Sequence, residues 1–247
     1  MNISQIRRFL AFSSFQAIFT LATCFAVQAQ AQGDVQPDTM AKRMQACTTC
    51  HGAQGITSNQ AYFPRIAGKP TGYLFNQLQN FKEGRRHYGL MVGMVEHLSD
   101  AYLLEMAQYF AGLDVSYASP APLKTPAGAA TLQFGKTLAL QGDKTRQLAA
   151  CTSCHGAALM GVLPSTPALL GLPRDYLAAQ LGAWQTGLRR AHEPDCMGRI
   201  AKVLKPSDID ALASWLASQP VPAATKAAAK TESSLPQLQT EQCGGAK

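Results

Sequence analysis

The sequence predicts an all-α protein made of two similar modules in tandem. The hexapeptide CTTCHG at residues 47–52 returns as CTSCHG 104 residues later, and Tyr73 and Tyr176 stand 103 residues apart in matching segments. Apolar residues in both halves recur at the three- and four-residue spacing of a helix. No segment shows the strict alternation of apolar and polar residues that is typical of a strand. The 247 residues suffice for two small domains.

Residues 1–31 are predicted to be a secretory signal peptide. Two arginines and an apolar run over about residues 9–27 precede the sequence AQA at residues 29–31, which matches the small-residue pattern of a cleavage site. We therefore expect cleavage near Ala31 and a protein that works in the periplasm. An uncleaved membrane anchor and lipidation of Cys24 are the alternatives, but the apolar run is short and impure for a span.

The first module is predicted over residues 36–115, with a helix, an attachment turn and two further helices. Its central helix shows apolar residues at helical spacing and ends near Gly84: Tyr73, Leu74, Leu78 and Phe81. Its last helix is expected to begin at Ser99-Asp100, because these side chains accept bonds from the free N–H groups of a first turn. The expected core side of that helix comprises Leu103, Leu104, Ala107, Tyr109 and Phe110.

The second module is predicted over residues 127–219 and repeats this plan. Its first helix offers a packing surface at Phe134 and Gly135. Its central helix carries Tyr176, Leu177, Leu181 and Trp184 at helical spacing. Its last helix is expected to begin at Pro206-Ser207-Asp208 and to bury Ile209, Leu212, Ala213, Trp215 and Leu216.

Two segments outside the modules have the composition of connections. Residues 116–126 contain three prolines and are predicted to be a linker. Residues 220–247 are rich in alanine, lysine and polar residues with scattered proline, and we expect them to form a disordered tail.

Each module carries one C-x-x-C-H motif, which is typical of covalent haem attachment. The thiols of Cys47 and Cys50 in the first motif, and of Cys151 and Cys154 in the second, add across the two vinyl groups of a porphyrin. His51 and His155 then point their imidazoles at the iron. A four-cysteine zinc site is excluded because it needs pairs about 15–20 residues apart. The sequence therefore predicts two covalently bound haem c groups.

A haem iron held by one histidine needs a second axial ligand. Methionine is expected in electron-transfer sites, because its soft thioether favours ferrous iron. The candidates are Met91, Met94, His87, His97, Met197, His192 and Cys196. Met91 and Met197 each lie seven residues before equivalent leucines, whereas Met94 aligns with an isoleucine. We therefore predict Met91 and Met197 as the axial methionines.

Prolines occupy matching positions before the two central helices. Pro64 lies 13 residues after His51, and Pro167 lies 12 residues after His155. A proline carbonyl at this place can accept the Nδ1–H of the axial histidine and fix its tautomer. Five arginines are candidates for pairing with haem propionates, with exposed surface charge as the alternative: Arg65, Arg85, Arg86, Arg189 and Arg190.

Two further cysteines follow the predicted signal peptide. Cys196 and Cys243 are the two cysteines left outside the haem motifs and the predicted signal peptide. An even number of remaining cysteines favours a disulfide in an oxidising compartment. This bond would tie the tail to the loop that carries Met197. A free thiol, or a thiolate ligand at Cys196, is the alternative.

The charge pattern excludes a nucleic-acid binding protein. The formal net charge is +7, but charged residues make up only 15% of the chain and no stretch alternates basic with aromatic residues. Four haem propionates would lower the net charge further.

Both modules resemble class I cytochromes c, and their tandem arrangement resembles cytochrome c4, a family of periplasmic di-haem carriers. The resemblance covers roughly residues 40–220 and rests on CTTCHGAQG, PRIAGK with YLFNQLQNFKEGRR, and MVGMVEHLSD. It implies two class I cytochrome c modules related by a pseudo-twofold axis, each wrapped round a covalent haem, with the haems near the interface. It also implies that the first methionine of the MVGM stretch is axial, which matches Met91.

We therefore expect a di-haem cytochrome that transfers electrons between a respiratory donor and a terminal oxidase and is not an enzyme. Its expected partners are redox proteins, namely a dehydrogenase or cytochrome complex and a terminal oxidase, with peripheral association with membrane complexes. One alternative is a cytochrome subunit of a periplasmic dehydrogenase complex. The other is a di-haem peroxidase, which would need one haem with a displaceable ligand.

Overall fold

The computed structural model describes residues 37–120, 122, 127–229 and 243–246. The predicted signal peptide, and parts of the predicted linker and tail, lie outside these residues. The described residues from Met40 onward form one compact unit. Within the described ranges, each helix is too short or too polar to cross a bilayer.

The first module contains the predicted helices in order and one more, a short helix between the central and last ones. They are α1 (Met40–Arg43), α2 (Gln45–His51), α3 (Thr71–Lys82), α4 (Gly89–Val95) and α5 (Asp100–Gly112). Helix α2 carries the first attachment motif, and α3 ends just before Gly84, as predicted. Helix α5 begins at Asp100 because the Ser99 hydroxyl accepts the Tyr102 N–H at 3.2 Å.

The second module repeats this series. Its helices are α6 (Ala129–Gln141), α7 (Thr152–His155), α8 (Arg174–Gln185), α9 (Cys196–Val203) and α10 (Pro206–Ser218), with a 3-10 turn at Lys144–Arg146. Met197 lies in α9, so the prediction that a loop carries it is wrong. At the start of α10 the Asp208 carboxylate, rather than Ser207, accepts a backbone bond, from the Lys205 N–H at 2.8 Å. The all-α prediction is confirmed, because the only β-structure in the described residues is isolated bridges.

Each module has its own apolar core. The first core comprises Met44, Leu74, Phe81, Val95, Leu103, Met106, Ala107 and Phe110. In the second module all five predicted residues of α10 are buried, together with Tyr176 and Leu177 of α8. The prediction for Leu104 is wrong, because it is 39% exposed. A helix advances about 100° per residue, so the residue after Leu103 leaves the buried face of α5.

Helices α6 and α10 cross in close contact at Gly135. An ideal Cβ built on Gly135 would lie 2.1 Å from the Ala211 carbonyl oxygen, so only glycine fits this crossing. Phe134, which the sequence also assigned to the packing surface, is 43% exposed. The crossing fixes the first helix of the second module against its last helix.

A reciprocal pair of backbone bonds joins the two modules. The His87 N–H donates to the Leu188 carbonyl at 2.8 Å, and the Arg190 N–H donates to the Arg85 carbonyl at 2.7 Å. Donors and acceptors of the two bonds are each 103 residues apart, the same offset as the repeat. This exchange is what the predicted pseudo-twofold relation requires.

Side chains at the same interface follow the same symmetry. Arg86 donates to Gln180 at 2.8 Å and Arg189 donates to Gln77 at 3.0 Å. Each arginine also donates to the glutamine of its own module, at 3.0 Å for Gln77 and 2.7 Å for Gln180. Two positive charges therefore meet in a partly buried network between the modules.

Arg65 holds the beginning of the predicted linker. Its guanidinium donates to the carbonyls of Ala67 at 3.0 Å and Ser116 at 3.1 Å, and also to that of Val115. The same group lies 3.8 Å from the centre of the Tyr117 ring. Since these partners occupy Arg65, neither propionate pairing nor an exposed surface charge describes it.

Parts of the predicted disordered tail are ordered in this structure. The Ala228 N–H donates to the Gly161 carbonyl at 3.0 Å, and the Ala228 carbonyl accepts from the Leu163 N–H at 2.8 Å. Cys243 is bonded to Cys196, which confirms the predicted disulfide. Residues 230–242 of the tail lie outside the described residues.

Arg146 bridges two carboxylates in the second module. These ion pairs make the stability of the module depend on pH. It donates to Asp143 at 2.7 Å and to the buried Asp208 at 2.6 Å. The side chain of Thr145 and then that of Arg146 lower the pKa of Asp143 to about 2. The lowered pKa means that ionised Asp143 stabilises the folded state at pH values above about 4, the pKa of the carboxyl in the unfolded chain. This stabilisation is lost as the pH falls toward about 2.

We therefore expect Arg146→Gln to lower the urea midpoint of the second module at neutral pH, and the deficit to shrink below about pH 4. Urea titrations of both proteins at several pH values measure this. The control is Lys144→Gln, at an exposed residue two positions away. Equal midpoints at neutral pH, or a deficit that grows in acid, would contradict the assignment.

Candidate haem-binding sites

Both motif histidines are fixed by the carbonyls that the sequence predicts. The Nδ1 of His51 lies 2.9 Å from the Pro64 carbonyl oxygen, and the Nδ1 of His155 lies 2.7 Å from that of Pro167. A carbonyl only accepts, so each Nδ1 carries the proton and each Nε2 keeps its lone pair. Burial lowers the pKa of both rings, which favours the neutral imidazole that binds iron.

The four motif cysteines lie close in sequence to these histidines, and none of them is in a disulfide. Cys47, Cys151 and Cys154 are half-buried, and Cys50 is exposed. Burial raises the pKa of the Cys151 thiol to about 11, so this group is protonated at neutral pH. The absence of a disulfide at these four positions is what thioether attachment of haem requires.

One cavity of the second module brings together the residues predicted for its haem site. Its wall includes Cys151, Cys154, His155 and Met197. Most of the remaining wall is apolar, and it includes leucines of α6, α8 and α10: Leu138, Leu177, Leu181, Leu212 and Leu216. An apolar cavity with a histidine and a methionine on its wall matches the donor set of an electron-transfer haem.

The hydrogen bonding of Trp184 indicates whether this cavity fits haem. Its Nε1–H is buried and has no hydrogen-bond partner among the described residues, although its side chain lines the cavity. A buried donor without a partner costs free energy, so the structure calls for an acceptor at this place. A propionate is such an acceptor, and the residues present therefore fit haem.

Positive charge at the same wall supports that fit. The Arg189 guanidinium is buried and lies 3.8 Å from the centre of the Trp184 ring. Burial raises the pKa of Tyr73, but Arg189 and Arg86 outweigh burial and bring it down to about 8. The interface therefore favours anions, as propionates are.

The first module places its predicted residues around its own core. Met91 is half-buried and packs against the core cluster that also contacts Cys47. Met94 is 46% exposed, and His87 and His97 are also exposed, so the alternatives to Met91 lie on the surface.

Cys196 and His192 were the alternatives to Met197 as the axial ligand of the second module. A thiolate ligand at Cys196 is wrong, because its sulfur is bonded to Cys243. His192 lines the cavity and its Nε2 lies 2.7 Å from an Arg85 nitrogen, so this ring nitrogen is engaged across the interface.

Sequence reasoning missed how the arginines are used. Arg86 and Arg189 were considered only as propionate partners or surface charges, and the structure adds their shared network with Gln77 and Gln180. The signal was present, since both Arg–Gln pairs recur at the 103-residue offset. No sequence signal indicated the unpartnered N–H of Trp184. The equivalent residue of the first module is Phe81, whose side chain has no hydrogen-bond donor.

The helical modules and their paired attachment motifs define a c-type cytochrome with two haem sites. The family model for cytochrome c matches residues 135–220. The thiosulfate dehydrogenase electron acceptor of Thiomonas intermedia is 35% identical over 225 residues, which are 91% of this chain and 100% of that protein. The structure of reduced cytochrome c4 from Pseudomonas stutzeri is 32% identical, with a TM-score of 0.61 over 72% of this chain and 95% of that chain.

A second solved structure belongs to a longer protein. The thiosulfate dehydrogenase TsdBA from Marichromatium purpuratum is 32% identical with a TM-score of 0.62, and the match covers 71% of this chain but 36% of that chain. The chain belongs to the cytochrome c4 family. It is a di-haem electron-transfer protein with covalently bound haem c, and it is not an enzyme.

Proposed function

We propose that this chain is the periplasmic electron acceptor of a thiosulfate dehydrogenase. The match over the full length of a thiosulfate dehydrogenase electron acceptor carries this proposal. The TsdBA structure supports it, because about a third of that dehydrogenase chain has the same fold as this protein. Downstream, we propose that the electrons pass to a terminal oxidase, which is the acceptor that the resemblance to cytochrome c4 implies.

The proposal assigns a role to each predicted site residue. Cys47 and Cys50 attach the first haem, and Cys151 and Cys154 attach the second. The axial ligands are His51 with Met91 in the first site and His155 with Met197 in the second. When bound, haem iron exchanges single electrons between its ferric and ferrous states.

The protein's own residues prepare these sites in three ways. Pro64 and Pro167 hold the histidine tautomers through the bonds described above. The leucines of the second cavity exclude water from the site. Arg86 and Arg189 place positive charge between the modules, and they stabilise anionic groups there.

Rapid mixing tests the donor. We expect the oxidised protein to become reduced when mixed with thiosulfate and a catalytic amount of thiosulfate dehydrogenase, as followed by the haem absorbance. Thiosulfate without the dehydrogenase should reduce it far more slowly, since in this proposal the dehydrogenase oxidises thiosulfate and this chain only accepts the electrons.

The matched control is a mitochondrial-type cytochrome c at equal concentration in place of this protein. Reduction of the two proteins at the same rate would contradict a specific partnership with the dehydrogenase. Reduction by thiosulfate alone at the full rate would also contradict the proposal.

A further inference from the structure

The C-terminal residues 243–245 lie against the loop that precedes Met197. Cys243 is bonded to Cys196, the neighbour of Met197 in sequence. The Gly244 N–H donates to the Pro194 carbonyl at 3.1 Å. An ideal Cβ on Gly244 would lie 2.4 Å from the carbonyl oxygens of His192 and Glu193, so this backbone sits directly on the loop. We call residues 243–245 the C-terminal clip.

The clip also reaches the first module and the wall of the haem cavity. The Asn76 side-chain amide on α3 donates to the Gly245 carbonyl at 2.8 Å. Cys243 and Gly245 line the same cavity as Met197 and His155. The clip is therefore part of the second site, at the place where the chain carries the predicted axial methionine.

The chain before the clip is anchored on another side of the same module. Ala228 pairs with the backbone of Gly161 and Leu163, which follow His155 by only six and eight residues. The tail thus has one anchor after the motif histidine and a second, covalent anchor beside the predicted axial methionine.

The first site has no equivalent anchor among the described residues. The residue before Met91 is Leu90, which is 65% exposed, whereas the residue before Met197 is the disulfide-bonded Cys196. The two sites share histidine, proline and methionine but differ in this covalent restraint.

We propose that the C-terminal clip is a disulfide-controlled lock that holds Met197 on the second haem iron. Opening the Cys196–Cys243 bond frees the loop at the start of α9, and the second iron then accepts small exogenous ligands. In this opening a dithiol reductant supplies two electrons and two protons, the S–S bond becomes two thiols, and the reductant closes to its own disulfide. Cys196 and Cys243 are thus positioning residues, and the inference rests on the proposed ligand role of Met197.

Carbon monoxide binding to the ferrous protein tests this lock, because the gas binds only where the sixth position of the iron is open. Ascorbate reduces the haems and leaves the disulfide closed, whereas ascorbate with dithiothreitol also opens it. We expect bound carbon monoxide to rise from none to about one per chain when dithiothreitol is added. Cys243→Ser should bind the same amount with ascorbate alone.

Two further variants separate the possible failures. Lys226→Ser, at an exposed tail residue that leaves the disulfide intact, should behave like the native protein. Met197→Ala should bind carbon monoxide with or without dithiothreitol. If Met197→Ala binds the gas but Cys243→Ser and the dithiol-treated protein do not, the lock is overturned and the ligand assignment stands. If Met197→Ala binds none, or the ascorbate-reduced native protein already binds it, both are overturned.

Discussion

Replacing Met197 with alanine is expected to lower the reduction potential of one haem by more than about 0.1 V, within the range of about 0.8 V over which axial ligands set haem potentials. The thioether sulfur stabilises ferrous iron, and alanine has no atom that can replace it. His155 stays fixed by the Pro167 carbonyl, so the haem keeps its other ligand. The second haem should therefore remain attached but become harder to reduce.

A spectroelectrochemical titration measures both potentials in one sample. Met91→Ala should shift the other haem, because Met91 packs in the first module. The matched control is Met94→Ala, at a methionine that is 46% exposed. The far-red absorption band that marks methionine bound to ferric haem should halve in each ligand variant and stay whole in the control. Unchanged potentials in Met197→Ala, or an equal shift in Met94→Ala, would show that the axial assignment is wrong.

A second large effect is expected at the crossing of α6 and α10. Gly135→Ala places a methyl group 2.1 Å from the Ala211 carbonyl oxygen, and a backbone atom of a buried helix cannot move aside as a flexible side chain can. Overpacking of a core typically costs about 1–3 kcal/mol, and we expect at least the upper end here because the clash is with backbone. The free energy of unfolding of the second module should fall by about that amount.

The matched control is another helical glycine, at which substitution by alanine is expected to raise the free energy of unfolding. Gly182 lies in α8, and an ideal Cβ there would meet no atom within 4 Å. Gly182→Ala should therefore stabilise the protein by about 0.5–1 kcal/mol, since alanine loses less backbone entropy on folding. Urea unfolding of the haem-loaded proteins measures both values. If both substitutions changed the free energy of unfolding in the same direction, the described crossing would be contradicted.

The sequence was most informative where function depends on residues close together in the chain. The C-x-x-C-H motifs, and the prolines 12 and 13 residues after their histidines, form local units, and the structure shows the predicted Nδ1–carbonyl bonds. The central and last helices of each module followed from periodicity, whereas the short helices that carry Met91 and Met197 did not. The Ser99 cap followed from the first turn of its own helix. The Cys196–Cys243 pairing followed from counting, because two cysteines were left over.

The sequence was least informative where a residue's partner lies far away in the chain. Arg65 binds carbonyls about 50 residues later, and no local pattern indicates that contact. The composition of the tail predicts disorder, yet Ala228 finds backbone partners on a loop 65 residues earlier. Leu104 was misplaced because four consecutive apolar or aromatic residues in α5 leave the edge of the buried face undefined.

The central claim is that this chain carries two covalently attached haems, one in each module. The mass of the purified native protein under denaturing conditions tests it directly, since thioether bonds survive unfolding. We predict the polypeptide mass plus two haem groups, and the mass plus one haem group when Cys151 and Cys154 are both replaced by serine. A native mass without haem, or an unchanged haem content in that double variant, would contradict the account.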